Sequence, residues 1–138
     1  MLNDNLTKFG IFHEMLSIDE SMVPYFGRHS AEMFIRGKPI CFGYKIWCMC
    51  GNDGYPYHMK IYQGKEPNPQ KQLLGTRIIM QMVDIMTANS DALCHQLYFD
   101  NLFTNYDLMV KLAEIKVRET GTVRENRTAG AEKTFLVP

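Results

Sequence analysis

The sequence predicts a mixed α/β domain in which helices pack against a sheet. Three observations predict it. The run from Cys41 to Cys50 is almost continuously apolar, and Gly51-Asn52-Asp53-Gly54 and an alternation at Tyr55, Tyr57, Met59 and Ile61 follow it. That succession is a β-hairpin. Leu73, Leu74, Ile78, Met82, Ile85 and Met86 recur at helical spacing, the pattern of an amphipathic helix over about 72–88. Leu97-Tyr98-Phe99 is a second short apolar run, and it ends in Asp100 before a new helical pattern.

The elements follow in order. Residues 1–8 are polar and weakly patterned and read as a tail. Leu16, Ile18 and Met22 mark the apolar positions of a first strand, with Asp19 and Glu20 set into it; Pro24 ends its pairing. Gly27-Arg28-His29-Ser30 reads as a loop and Gly37-Lys38-Pro39 as a further break. The Cys41–Cys50 run, with Lys45 its single charge, has the profile of a strand covered on both faces. Residues 64–70, with Pro67 and Pro69, read as a loop. Thr104 and Asp107 have capping-box spacing, which predicts a helix starting there, and Leu108, Leu112 and Ile115 line its apolar side. Val117 to Arg124 reads as a last strand, and residues 128–138 as an irregular tail. The order over 9–127 is strand, strand, strand, helix, strand, helix, strand, within one domain. The ribonuclease-H-like fold has this order, and in it the first and fourth strands are neighbours.

Composition sets the outer bounds. Hydrophobic residues make up 46% and charged residues 22%, values that imply a core rather than disorder. The formal net charge is zero, which argues against a free-standing nucleic-acid binder and leaves local clusters to do such work. No apolar run is long enough to span a bilayer, and the first residues are too polar for a signal peptide. The four cysteines show no disulfide framework, so a reducing, intracellular setting is expected.

Asp100 stands where a buried strand opens into a loop, the end of an open α/β sheet at which ligands collect. On local sequence it reads equally as a turn acid or as a ligand, and Asp19 alone would read as a solvent-facing strand acid. Glu20 is expected on the opposite side of its strand from Asp19, because neighbours alternate. Asp53 reads as a turn acid, Asp107 as a capping acid and Asp84 as solvated. His13, His29, His58 and His95 lack ligand spacing. Cys48-Met49-Cys50 lacks the paired knuckles of a zinc site. Tyr55, Tyr57 and Tyr62 fit cross-strand packing at least as well as base stacking.

Five blocks carry a resemblance. They are Ser17-Ile18-Asp19-Glu20-Ser21-Met22, Gly27-Arg28, Lys38-Pro39-Ile40 with Gly43-Tyr44-Lys45, Phe99-Asp100-Asn101-Leu102-Phe103-Thr104, and Gly121-Thr122-Val123-Arg124-Glu125-Asn126-Arg127. In this order, over about 9–127, they closely resemble the piggyBac transposase family, and within it the transposable element-derived proteins. The resemblance implies a DDE/D-type catalytic domain, ribonuclease-H-like, in which three aspartates hold two divalent ions, Mg²⁺ or Mn²⁺. Asp19 matches the first catalytic aspartate and Asp100 the second. The family's third acid and closing helix lie downstream of this sequence, so the expectation is a partial catalytic core, inactive by itself. Its complete relatives would cut and join DNA at transposon ends, with Arg28, Arg36, Lys38, Lys45, Arg118, Arg124 and Arg127 as candidate phosphate contacts. Nuclear residence is implied by the resemblance alone. The rival expectation is a non-enzymatic remnant that binds DNA or a protein, or is inert.

Overall fold

The computed structural model describes residues 1–64 and 71–127. The readings of 64–70 as a loop (beyond Gly64) and of 128–138 as an irregular tail fall outside the described residues.

Six strands form one sheet: β1 (Met15–Pro24), β2 (Glu32–Phe34), β3 (Phe42–Gly51), β4 (Pro56–Ile61), β5 (Gln96–Phe99) and β6 (Arg118–Gly121). Three α-helices accompany them among the described residues: α1 (Leu2–Phe9), α2 (Leu74–Asn89) and α3 (Tyr106–Glu114). The spatial order is β2-β3-β1-β5-β6, with β4 also paired to β3. β1 runs antiparallel to β3 and parallel to β5, and β5 runs parallel to β6. The first and fourth of the strands expected from the sequence, β1 and β5, are therefore neighbours.

The period of two decides what each strand buries. Leu16, Ile18 and Met22 are buried on β1, Trp47 and Met49 on β3, and Leu97 and Phe99 on β5. These side chains share one face of the sheet, the inner face. α2 contributes Ile78, Ile79, Met82, Val83 and Met86 to the same cluster, and α3 contributes Leu108 and Leu112. Burying each such side chain stabilises the fold by roughly 1.5–3 kcal/mol. Gly75 lets the first turn of α2 approach the segment after β5: a Cβ there would lie 2.9 Å from Phe103 Cα.

Four expectations need correction. Residues 2–9 are a helix and not a tail. Asp4 sits in its first turn and Lys8 in its last, both suited to the helix dipole. None of its residues is buried; it is held instead through polar groups. Asn3 donates to Met59 O (2.8 Å) and accepts from Met59 N (2.9 Å), satisfying the free edge of β4. Second, a short strand, β2, pairs Phe34 with Phe42, in the stretch between Ser30 and Gly37 to which the sequence assigned no element. Third, α3 starts at Tyr106 with Asn105 as its cap, whose Oδ1 accepts from Leu108 N at 3.0 Å; the Thr104 hydroxyl donates to Asp100 O instead. Finally, β3 is covered on one side: Trp47 and Met49 are buried, while Cys48 and Cys50 are half-buried. The ranges 72–88 and 117–124 shorten to Leu74–Asn89 and Arg118–Gly121.

Candidate metal centre

The parallel register pairs Ser17 with Tyr98 and Ile18 with Phe99. One residue further along each strand stand Asp19 and Asp100. Since Ile18 and Phe99 point into the core, both aspartates emerge on the outer face at adjacent strand positions. They line one cleft of about 410 Å³ with Ser17, Tyr98, Thr120 and Thr122. The 81 positions between the two acids in sequence are closed by a single strand pairing.

Backbone donors aim each carboxylate. Asp19 Oδ1 accepts from Glu20 N at 2.7 Å, and Asp100 Oδ1 accepts from Leu102 N at 2.9 Å. Asp100 O also accepts from Phe103 N at 3.2 Å, from Thr104 N at 3.3 Å and from the Thr104 hydroxyl at 2.9 Å. Asp100 is thus a turn acid by local structure, and its second oxygen has no protein donor among the described residues. Gly121 allows the close passage of β6 here, since a Cβ would fall 2.6 Å from Thr104 Oγ1. Partial burial, with the neighbouring Glu20 carboxylate, raises the Asp19 pKa above its ordinary value. Burial also pushes Glu20 upward, but hydrogen bonding to Asp19 and to Lys38 outweighs it and holds Glu20 below the usual range. Glu20 alternates to the inner side as expected and pairs with Lys38 Nζ at 3.1 Å.

The basic candidates divide. Arg28 has no ion pair or hydrogen bond among the described residues. Lys38 is engaged with Glu20. The Lys45 ammonium lies 4.0 Å from the Trp47 ring centroid, and burial lowers its pKa. Arg124 Nε donates to Asn101 Oδ1 at 2.9 Å, while Arg127 Nη1 donates to Asn101 O (3.0 Å) and Leu102 O (2.8 Å). These two guanidinium groups grip the turn that carries Asp100. Arg118 pairs with Glu14 at 3.3 Å.

The remaining candidates take structural roles. Asp53 caps its turn by accepting from Tyr55 N, and Asp84 is exposed on α2. His95 is buried between His13 O and the Ser90 hydroxyl, each 2.7 Å away. Tyr57 is buried, stacks on Phe12 at 4.3 Å, and its hydroxyl contacts Ile11 O and His13. Among the described residues no group of three or more His, Cys, Asp or Glu side chains is arranged to hold a metal. The sequence reading missed Ser17 and Tyr98 as cleft walls, though each stands two residues before a candidate aspartate and so shares its face.

A mixed sheet of this order, helices on its inner face and two acids on adjacent parallel strands, one within β1 and one just past β5, defines a domain of the ribonuclease-H-like class. Residues 1–134 match the family described as Transposase IS4. The chain belongs to this family, on its piggyBac-type branch. It is 41% identical over 127 residues to the human (Homo sapiens) PiggyBac transposable element-derived protein 3, covering 91% of this chain and 21% of that protein. It is 37% identical over 129 residues to the human PiggyBac transposable element-derived protein 2, covering 92% of this chain and 22% of that protein. The chain therefore spans about a fifth of these relatives' length. A cryo-EM structure of a piggyBac transposase synaptic complex with hairpin DNA superposes with a TM-score of 0.79 at 24% identity, over 96% of this chain and 29% of that one. The chain is a transposase-derived domain.

Proposed function

We propose that Asp19 and Asp100 are ligands of a divalent cation, and that this domain supplies them to metal-assisted phosphoryl transfer on DNA in the nucleus. The observation that carries the reading is the register of β1 on β5, which sets two carboxylates at neighbouring positions on an open cleft. Their chemistry fits Mg²⁺ or Mn²⁺, hard ions that take one or two carboxylates and fill their remaining positions with water and phosphate oxygens. Such an ion, when bound, stabilises charge on the oxygens of a phosphodiester under attack. The chain's own contribution is orientation. Glu20 N and Leu102 N each hold one carboxylate oxygen, and the second oxygen of Asp100 is left free for a ligand. Arg124 and Arg127 fix the Asp100 turn from the far side. Arg28, Lys38 and Lys45 are the phosphate contacts of this reading, together with whatever N–H groups Arg124 and Arg127 leave free; each phosphate neutralised adds salt-dependent affinity.

Mn²⁺ binding to the 138-residue chain, followed by water-proton relaxation, tests the proposal. Asp19→Asn and Asp100→Asn should each weaken binding by at least about tenfold, a loss of one direct carboxylate ligand. Asp84→Asn, on the solvated face of α2, should change nothing. Equal Mn²⁺ affinity in all four proteins would overturn the assignment.

A further inference from the structure

We propose that the β2–β3 end of the outer face is a stacking platform for unpaired nucleotides, presented to the same side of the sheet as Asp19. This deepens the reading above and rests on it for the class of substrate. The register makes the case. Asp19 pairs with Cys48, Ser21 with Ile46 and Val23 with Tyr44, so these residues share the outer face. Tyr44 pairs onward with Glu32, and Phe42 with Phe34. The row from Asp19 to Val23 and Tyr44 is four residues long, about 13 Å at the usual rise per residue.

What stands there is aromatic: Phe34 and Phe42 are exposed, while Tyr25 and Tyr44 are half-buried and Tyr44 also meets the His29 ring edge-on at 5.5 Å. The Phe34 and Phe42 rings lie 6.3 Å apart, and Tyr25 lies against Tyr44 at 4.8 Å. Phe34 is 63% exposed and Phe42 46%. A protein interior would bury the two phenylalanine rings, and the half-buried tyrosines extend the same aromatic surface. Cations flank β2 in sequence: Arg28 precedes it and Arg36 follows it, both exposed, and neither has a partner among the described residues. The acid in this region, Glu32, has one carboxylate oxygen buried. Exposed rings beside free guanidinium groups match single-stranded nucleic acid, whose bases expose their faces and whose backbone is anionic. A duplex hides those faces, and an apolar protein partner would leave the two arginines unanswered.

The test uses the 138-residue chain in EDTA, so that failure of the metal site leaves it unaffected. A single-stranded oligonucleotide carrying 2-aminopurine reports stacking by loss of fluorescence, and anisotropy reports affinity against a duplex of equal length. The single strand should bind more tightly and be quenched. Phe42→Leu should weaken it about tenfold and abolish quenching, while Phe42→Tyr should restore both. Arg36→Ala should weaken both nucleic acids and lower the salt dependence by about one phosphate. Circular dichroism confirms that each variant is folded, and Phe34→Leu gives a second reading if Phe42→Leu is not. Equal binding of duplex and single strand, unchanged quenching in Phe42→Leu, no binding at low salt, or self-association that buries the patch would each overturn the proposal.

Discussion

The two faces of the sheet are made by the same strands, yet they differ in almost every physical respect. The inner face presents Leu16, Ile18, Trp47, Met49, Leu97 and Phe99 to α2 and α3, and all are buried. The outer face presents Ser17, Asp19, Cys48, Cys50, Tyr98 and Thr120, all exposed or half-buried. One carries the free energy of folding and the other carries acids, thiols and hydroxyls. The thiols show how far a polar neighbourhood reaches: mutual hydrogen bonding draws the Cys50 pKa down to about 7 and raises that of Cys48. The difference teaches that reactive groups here are tolerated because packing on the other side of each strand offsets them. A substitution on one face should therefore damage stability and on the other should not.

Phe103→Ala tests the inner side most severely. Phe103 is buried and meets Trp47 edge-on at 5.4 Å. Its loss should cost about 3–5 kcal/mol in urea unfolding, the range for an aromatic removed from a core. Since Phe103 follows Asp100 by three residues, the same variant should also weaken Mn²⁺ binding, so damage within should reach the outer face. A cost under about 1 kcal/mol would show that the turn, and not the ring, holds this segment.

Asn105→Ala sharpens the comparison with a polar inner residue. Asn105 caps α3 and donates to the buried Thr76 hydroxyl at 2.7 Å, tying α3 to α2. Removing it should cost about 1–2 kcal/mol through the lost cap, read as a lower Tm. Asn105→Asp keeps the acceptor for Leu108 N, and the Thr76 hydroxyl can turn to donate to its second oxygen, so it should recover most of the loss. No recovery would mean that the amide's own donor, and not the cap, holds this end of α3.

Legibility follows the same division. The inner face was readable because its residues repeat at periods of two and 3.6, and the hairpin because Gly51 to Gly54 has turn chemistry of its own. The meeting of Asp19 and Asp100 was implied once their strands were taken as neighbours; that these run parallel came from the fold. α1 was not readable: it has no apolar stripe, and what holds it is an amide that meets a strand edge 56 residues away. β2 is three residues long and exists through its pairing with β3. Thr104 and Asn105 can both cap a helix, and only the fold decides that Thr104 serves Asp100. Arg127 donates to backbone oxygens, which leave no side-chain pattern to find.

Asp19→Asn should have the smallest effect on stability, with the opposite sign. Partial burial and the hydrogen bond to the Glu20 carboxyl raise the Asp19 pKa, so the fold favours its protonated form. The stability this group contributes is fully present below its unfolded pKa and is lost as pH rises through the raised, folded value. At neutral pH the ionised carboxylate is therefore a cost, and Asn, which keeps an acceptor for Glu20 N, should raise Tm slightly. Below the unfolded pKa of the carboxyl the gain should vanish, because wild type is then uncharged as well. Saturating Mn²⁺ should reverse the order: at a hundredfold excess over Kd, a bound ion stabilises wild type by about 2.7 kcal/mol and leaves the Asn variant behind. Thermal melts at acid and neutral pH, with and without Mn²⁺, read all three. An Asn variant less stable than wild type at neutral pH without metal would make Asp19 a structural residue. The division between a face that folds and a face that acts would then fail at its central position.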